Sequence, residues 1–310
     1  MLTICIITKN ESEKLSRLID SVAQLGFDIA VTDTGSDDDT LLMLENAKKN
    51  YAGVCNIKIS HFNWTDDFAA AKNFAASMAD TEQVLILDSD EWLDCEEAKK
   101  PDLRDSLISI IKKNITKIGR IRCRNIISLE GEEQTGTELV SRIYSKKLFR
   151  FEGAIHEQLV PAEGDSGENY ETYITPLTIN HDGYAGTEER KREKAIRNIS
   201  LLSKELEKSG YQAKKEAGEL PDDYYKTEKQ VPYILYQMGK SYYMMGDHAS
   251  AADHLGEALF FDLDERLEYV ADMVETYGYA LTNSGRAAEA LALEGVYDAF
   301  GESADFNFLM

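Results

Sequence analysis

Short apolar runs alternate with longer amphipathic segments along the first part of the chain. In chain order they predict strands at 2–8, 29–33, 54–60 and 84–88, separated by helices at 12–25, 38–50 and 66–79. Strands that alternate with helices pair in parallel through right-handed crossovers, so this order predicts an α/β sheet covered on both faces. The nearly unbroken apolar run at 84–87 is typical of a central parallel strand.

The pattern changes after residue 186. Residues 188–210 are typical of one long charged helix, and a polar break follows at 213–230. Small residues then recur where a tetratricopeptide repeat needs them for close helix packing. The positions are Gly239, Tyr242, Gly246, Ala251, Leu255 and Ala258, with a weaker second copy at Gly278, Leu281, Gly285 and Ala290.

These patterns predict three regions. An α/β domain covers 1–186, a long helix and linker cover 187–230, and an all-α domain of tetratricopeptide-like repeats covers 231–310. Two repeats are fewer than a free-standing solenoid needs. We therefore expect them to pack on the first domain, or on a second copy of the chain in a homodimer.

Composition and charge narrow the class of protein. The 310 residues include 34 Lys and Arg against 56 Asp and Glu, a net charge of −22, which argues against nucleic acid and anionic lipid as partners. The four cysteines are scattered without metal or redox spacing, which favours reduced thiols in a cytoplasmic protein. No apolar stretch approaches the ~20 residues of a transmembrane segment, and the apolar start is interpreted as a strand and not a signal peptide.

Polar clusters follow three of the predicted strands, at 8–11, 33–37 and 88–91. Ligands of α/β sheets bind beyond the carboxyl ends of the strands, so the three clusters are expected at one edge. Asp88 and Asp90 are two residues apart and start from the same face of the strand. Alone, one acidic cluster is as typical of a solvated turn or a helix N-cap as it is of a binding site. Three such clusters favour a divalent metal, Mg²⁺ or Mn²⁺, carrying a substrate diphosphate.

Four segments in this order carry a family resemblance: TICIITKNE, AVTDTGSDDDT, FNWTDDFAAAKNFA and VLILDSDEWL. Together they resemble family 2 glycosyltransferases with the GT-A fold, and the resemblance covers roughly residues 1–185. The later GAIHEQL segment and the helical repeats are similar to bacterial members with a tetratricopeptide tail. The resemblance implies metal-dependent, inverting transfer of a sugar from a nucleoside-diphosphate sugar, with a UDP-sugar as the family-level expectation.

The residues of the donor site are assigned by matching this sequence to the motifs of the family. The resemblance implies a nucleotide-sugar site formed by Thr8, Asn10, Glu11, Asp33, Lys72, Asp88, Ser89 and Trp92. Asp33 is expected near the base of the nucleotide. Lys72 stands where the family usually has Arg, so it keeps a charge for the diphosphate but loses bidentate geometry. Trp92 is expected to stack on the sugar or to form a wall of the acceptor site. An equally good alternative is that Trp92 is an ordinary aromatic residue of the core.

The metal side follows from the same motif. Asp90 is implied as the direct metal ligand, whereas Asp88 is expected to face the ribose or a metal-bound water, with metal ligation as a second role. His181 follows a further predicted strand and is expected to complete the metal shell or to touch the diphosphate. A structural role is the alternative for this histidine, as for His156.

An inverting transfer needs a base that takes the acceptor proton. Family members place an acidic residue in the GAIHEQL segment, so Glu157 is the candidate base and His156 is expected to orient it. Asp182 is the next residue to test. The acceptor stays open between a peptide or protein side chain, a glycan and a lipid-linked molecule. The main rival hypothesis is a non-catalytic tetratricopeptide scaffold that carries a degenerate transferase domain.

Overall fold

The structure is a computed structural model that describes residues 1–94, 100, 102–129, 132–163, 170–182, 188–264 and 267–296. It divides into two compact units, Met1–Ala185 and Gly186–Met310. The described part of the first unit combines strands and helices, and that of the second unit contains helices alone. The predicted α/β class and the predicted helical C-terminal region are both confirmed.

The first unit contains ten strands and four helices within its described residues. The strands are β1 (Leu2–Thr8), β2 (Asp28–Asp33), β3 (Ile57–His61), β4 (Gln83–Asp88), β5 (Glu91–Leu93), β6 (Ile118–Leu129), β7 (Glu132–Ser145), β8 (Phe149–Glu152), β9 (Gln158–Pro161) and β10 (Thr172–His181). The helices are α1 (Ser12–Ala23), α2 (Thr40–Asn50), α3 (Phe68–Ser77) and α4 (Leu103–Lys113).

Eight of these strands form one sheet in the order β3-β2-β1-β4-β7-β6-β10-β5. The first four strands in chain order pair in parallel, as the alternation of strands and helices predicts. From β7 onward the sheet is mixed, since β7 runs antiparallel to both β4 and β6. The prediction of parallel pairing therefore holds for the first half of the unit. The second half contains the antiparallel pair of β6 and β7, which are close in the chain, and the parallel pair of β10 and β6.

Buried apolar residues cover both faces of the parallel half. On one face α1 buries Leu15, Leu18, Ile19 and Val22 in the larger core cluster. On the other face α3 buries alanines at positions 69, 71, 75 and 76, beside Cys5 and Ile86 of the sheet. Small side chains let this helix lie close to the strands, so Lys72, which lies among these alanines, is also buried.

The second unit is built from helices. They are α5 (Glu188–Ser209), α6 (Tyr211–Ala217), α7 (Tyr224–Thr227), α8 (Gln230–Met244), α9 (His248–Ala258), α10 (Glu268–Asn283) and α11 (Ala287–Ala290), with a 3₁₀ helix at Leu291–Val296. The long charged helix predicted at 188–210 is present as α5. Across the part of the chain that the structure describes, no helix combines the length and apolar character needed to cross a membrane.

The polar stretch at 213–230 differs from its prediction as a plain break, because α6 and α7 lie in it. Their aromatic rings explain the difference. Tyr211 is fully buried, stacks on Tyr224 with ring centroids 5.8 Å apart, and contacts Phe261. Tyr225 contacts the same phenylalanine at 5.0 Å. A few buried rings thus anchor a segment whose composition is otherwise polar.

Close helix packing occurs where the repeat pattern predicts it. A β-carbon added at Gly239 of α8 would lie 2.5 Å from Leu255 Cγ and 2.8 Å from Leu255 Cδ2 of α9. Ala251 and Ala258 on the same face of α9 are fully buried. Gly246 and Gly285 adopt left-handed φ angles of 82° and 81° just after α8 and α10, as helix-ending glycines do.

We expect Gly239→Ala to destabilise the second unit by about 1–3 kcal/mol, the usual cost of overpacking a close contact. The helical circular dichroism signal should melt at a lower temperature in this variant. Gly295→Ala is the matched control, because nothing lies within 4 Å of its added β-carbon. Equal melting of both variants would contradict the packing role of Gly239.

Candidate functional site

The three strand-end clusters gather at one edge of the sheet, as predicted. β2, β1 and β4 are neighbours, and their register places Thr8 opposite Asp33 and Ile7 opposite Asp88. All three strands are parallel, so their carboxyl ends point the same way. The edge therefore presents the polar residues that follow these strands on one side of the molecule.

Asp33 shapes the turn at the end of β2. The residue is buried, and its carboxylate accepts hydrogen bonds from the backbone N–H groups of Gly35 at 3.0 Å and Ser36 at 3.2 Å. His61 Nδ1 lies 3.1 Å from the same carboxylate. Because Asp33 already stabilises this turn through hydrogen bonds, the loop at this edge is formed before any ligand binds. Its predicted role near a nucleotide base stays a prediction.

Asn10 and Glu11 are fixed to the same loop. Asn10 has a left-handed φ of 55° and exchanges two hydrogen bonds with Asp37, one of 2.7 Å from its side chain and one of 2.9 Å to it. The Glu11 backbone N–H donates to Thr40 Oγ1 at 3.1 Å. Thr8 is buried, and its carbonyl accepts from Thr34. The first two clusters therefore form one connected loop pair beyond β1 and β2.

A buried ionic cluster lies at the end of β4. Lys72 Nζ contacts Asp88 Oδ1 at 2.8 Å and Glu157 Oε1 at 2.6 Å, and only 4% of the lysine side chain is exposed. Arg142 of β7 contacts Asp88 Oδ2 at 3.1 Å and also forms an ion pair with Glu91. Glu91 accepts a 2.9 Å hydrogen bond from the Asp88 backbone N–H. Two cations and three carboxyl groups thus lie together, with Lys72 and Glu91 buried and Asp88 32% exposed.

Burial and the neighbouring charges shift the pKa values of Asp88, Lys72 and Glu91 in this cluster. Burial opposes charge on Asp88, but Lys72 and Arg142 hold the pKa of this carboxyl below its usual range. Burial also opposes charge on Lys72, yet Asp88 and Glu157 raise the pKa of its ammonium. Glu91 behaves differently, because burial and the neighbouring Asp88 charge raise its pKa to about 7.

Hydrogen bonds from α3 bring Glu157 to this cluster. The Asn73 side chain donates to the Phe151 carbonyl at 2.9 Å and accepts from the Phe151 N–H at 2.8 Å, which fixes β8 against the helix. The backbone N–H of Phe68 donates to the Ala154 carbonyl at 2.8 Å. The chain then turns through His156, whose φ is 53°, into β9. Neighbouring residues of α3 thus hold both the segment and its carboxylate.

Asp90 and His181 meet on the other side of the turn that follows β4. His181 Nε2 lies 3.5 Å from Asp90 Oδ2, and His181 Nδ1 lies 2.8 Å from Asn125 Oδ1. No group of three or more His, Cys, Asp or Glu side chains suited to a metal is found among the described residues. The Asp90 and His181 pair nevertheless offers a carboxylate, which suits Mg²⁺ or Mn²⁺, and an imidazole, a common ligand of divalent transition metals.

Trp92 lies under a cation. The Arg17 guanidinium stacks 3.5 Å above the Trp92 ring and forms a 2.6 Å ion pair with Asp182, which Lys14 also approaches at 3.6 Å. One face of the indole is therefore covered by α1, which leaves the other face or the edge for any sugar contact. Ser89 lies half-buried in the turn between β4 and β5.

Several members of this site were not predicted from the sequence. Arg142 is not among the residues that the sequence motifs assign to the site, and the structure pairs it with Asp88 and Glu91. Glu91 belongs to the polar cluster at 88–91, but the motifs give it no role of its own. One pattern in the sequence could have indicated this ion pair. A Glu directly after an apolar strand needs a cation if it is buried, and a later predicted strand of the same unit carries an Arg.

The comparisons agree with the predicted family. Residues 3–100 match the family model described as Glycosyl transferase family 2, so the predicted resemblance is confirmed for this segment. The glycosyltransferase SunS of Bacillus subtilis is 24% identical over 272 residues, which is 83% of this chain and 53% of that protein. A TPR repeat-containing protein of Synechococcus elongatus is 27% identical over 208 residues, 62% of this chain and 46% of that protein.

Solved structures give weaker likenesses. The S. aureus TarS 1–349 structure in complex with UDP-GlcNAc has a TM-score of 0.42 at 15% identity, covering 96% of this chain and 91% of that chain. The mannosyltransferase PcManGT from Pyrobaculum calidifontis, in complex with GDP-Man and Mn²⁺, has a TM-score of 0.42 at 14% identity, covering 97% and 88%. This chain spans about half the length of the curated relatives named above, at 53% and 46%.

We expect Arg142→Met to destabilise the first unit by about 3–5 kcal/mol, because it removes the ion-pair partner of the buried Glu91 and leaves Asp88 with one cation fewer. Urea denaturation followed by tryptophan fluorescence measures this loss, since Trp64 and Trp92 both lie in the first unit.

A double variant sharpens this test. Adding Glu91→Gln to Arg142→Met removes one unpaired carboxylate, so we expect it to recover part of the lost stability. Arg122→Met on the exposed side of β6 is the matched control and should change stability by less than about 0.5 kcal/mol. A loss in the control as large as that in Arg142→Met would contradict the special role of Arg142.

Proposed function

We propose that this chain is a metal-dependent inverting glycosyltransferase that moves a sugar from a nucleoside-diphosphate sugar to an acceptor, with a UDP-sugar as the expected donor. The observation that carries the proposal is the buried cluster in which Lys72 joins Asp88, at the end of β4, to Glu157. It supports the proposal because it links the donor motif to the candidate base. The family 2 match over residues 3–100 supports the same reaction class.

The donor would lie over the carboxyl ends of β1, β2 and β4. Asp33, in the turn after β2, and the loop of Asn10 are proposed to hold the nucleoside. Lys72 and Arg142 supply the positive charge near the diphosphate, and Asp88, which both cations contact, is proposed to face the ribose. These assignments place the reacting sugar close to Glu157.

A divalent cation fits the residues that follow β4. Asp90 and His181 would hold it, because their oxygen and Nε2 atoms lie 3.5 Å apart and can approach one ion from the same side. The two oxygens of Asp88 already contact Lys72 and Arg142, so its ligation of the same ion stays a prediction. Bound there, the ion would act as a Lewis acid that neutralises the departing nucleoside diphosphate.

Glu157 is proposed as the base that takes the acceptor proton as the acceptor oxygen, nitrogen or sulfur attacks the sugar. Only 13% of its side chain is exposed, and the Lys72 ammonium holds one of its oxygens at 2.6 Å. Its other oxygen would receive the proton. His156 lies next to it in the chain with a left-handed φ of 53°, and we propose that this residue orients the carboxylate.

The acceptor is proposed to be a peptide or protein side chain or a glycan. Helical repeats of the kind in the second unit present grooves that hold extended peptides, which favours the first class. A lipid-linked acceptor is the remaining alternative.

The first test is calorimetric titration of UDP, and then GDP, with and without Mn²⁺, into the wild type and Asp90→Ala. We expect one nucleotide to bind with Mn²⁺ and the binding to be lost in Asp90→Ala, because the variant lacks a metal ligand. Asp80→Ala is the matched control, since Asp80 is an exposed aspartate whose side chain forms a surface ion pair with Lys58. Failure of both nucleotides to bind would favour the scaffold hypothesis, and full binding by Asp90→Ala would contradict the metal assignment.

Glu157→Gln is expected to bind the donor normally but to lose transfer by about 100- to 10,000-fold, the usual contribution of a general base. Release of UDP from UDP-sugars, with water as the acceptor, measures this step without knowledge of the natural acceptor. Glu152→Gln, an exposed substitution of the same kind on β8, should leave the rate unchanged. A normal rate in Glu157→Gln would move the base elsewhere, with Asp182 as the next candidate.

A further inference from the structure

A chain of side-chain hydrogen bonds runs from the surface of β7 to His181. Asn125 Nδ2 donates to Glu138 Oε1 at 2.7 Å, and Asn125 Oδ1 lies 2.8 Å from His181 Nδ1. The two ends are joined by the sheet, since His181 lies opposite Asn125 in the parallel β10–β6 pair. Glu138 lies opposite Cys123, two residues before Asn125, so its side chain reaches the asparagine diagonally.

The Glu138 carboxylate fixes the orientation of the Asn125 amide. An ionised carboxylate only accepts hydrogen bonds, so the atom that faces it must be the amide NH₂ group. The amide oxygen then necessarily faces the histidine. The Cys123 thiol points to the same oxygen at 3.6 Å, and burial raises the pKa of this thiol to about 12, which keeps it a donor.

The Asn125 oxygen in turn fixes the tautomer of His181. A carbonyl oxygen accepts only, so His181 Nδ1 must carry the proton in this contact. In the neutral ring the lone pair then lies on Nε2, the atom that faces Asp90 Oδ2 at 3.5 Å. A histidine that binds a metal through one nitrogen usually donates its other N–H to such a partner.

We propose that Asn125 and Glu138 are positioning residues that hold His181 as the Nδ1–H tautomer, with Nε2 directed at a divalent cation shared with Asp90. This inference rests on the proposed function for the identity of the site, but it concerns the two residues behind the histidine. Asn125 is half-buried and Glu138 is exposed, so their hydrogen bond adds little to folding. Packing does not explain why these two polar residues contact each other. The orientation of His181 gives them a role.

The test begins with nitrogen NMR of the full-length protein labelled with ¹⁵N in histidine, measured in one buffer at pH 8. Loss of a signal in His181→Gln assigns the residue among the five histidines. We expect the Nδ1–H tautomer in the wild type and in the double variant Asn125→Asp/Glu138→Gln, in which the new carboxylate accepts from His181 and the glutamine amide donates to it. In Asn125→Leu, which removes the acceptor, we expect a mixture containing the Nε2–H form.

Binding of Mn²⁺ alone, measured by electron paramagnetic resonance, gives the second readout. Asn125→Leu should weaken the affinity by about 10- to 100-fold, the usual effect of losing such an outer partner. Glu138→Ala should weaken it less, because Asn125 is then free to rotate but still present. The double variant Asn125→Asp/Glu138→Gln, which keeps the total charge, should bind Mn²⁺ as the wild type does. Glu152→Ala, which removes an exposed acid of equal charge on β8, should bind as the wild type does.

Three results would overturn the inference: an Nε2–H tautomer in the wild type, wild-type Mn²⁺ affinity in Asn125→Leu, or failure of the wild type to bind Mn²⁺. The experiment uses neither nucleotide nor sugar. Normal tautomer and Mn²⁺ results, combined with failure to bind UDP and GDP, would therefore contradict the proposed function while supporting the role of Asn125 and Glu138.

Discussion

The Lys72 ammonium contacts Asp88 and Glu157 at 2.8 and 2.6 Å, and the rest of the site depends on this shared, buried charge. An isolated ammonium in such a place would be strongly unfavourable, so the lysine and its two carboxylates require one another. The alanines around Lys72 let α3 lie close enough to the sheet for its side chain to reach both partners. Asn73, the next residue, fixes β8 and thereby the segment that carries Glu157.

The charge balance of the cluster has a consequence for ligand binding. Lys72 and Arg142 face three carboxyl groups, so the cluster contains more acids than cations. Burial, followed by the charge of Asp88, raises the pKa of Glu91 to about 7 although Arg142 opposes this shift. A diphosphate would bring further negative charge to this edge. If the proposed donor binds here, a cation at Asp90 and His181 would supply positive charge next to the cluster. The sequence VLILDSDEWL is consistent with a strand end whose carboxylates Asp88 and Glu91 already have protein partners.

Local patterns were sufficient to predict the parallel half of the sheet. The period of apolar residues located β1 to β4 and the helices between them, and parallel pairing then brought Thr8, Asp33 and Asp88 to one edge. The contacts of Arg142 could not be predicted in this way, because they depend on β7 pairing antiparallel with β4 across a long sequence separation. The same limit applies to Lys72, whose helix was predicted while its two partners were not. In the second unit the polar composition around Tyr211 gave no indication that this residue is buried, and its burial is what anchors the segment.

The two aspartates of the DSD motif are positioned by different means. Alternation along a strand would place Asp88 and Asp90 on one face, but β4 ends at Asp88 and a turn begins at Ser89. Side-chain ion pairs hold Asp88 toward α3 and β7. Asp90 is placed by the backbone instead, because β5 pairs with β10 immediately after it and the Asp182 N–H approaches its carbonyl at 3.4 Å. A change in the ionic cluster should thus move Asp88 while leaving Asp90 beside His181, which makes the two carboxylates separable in function.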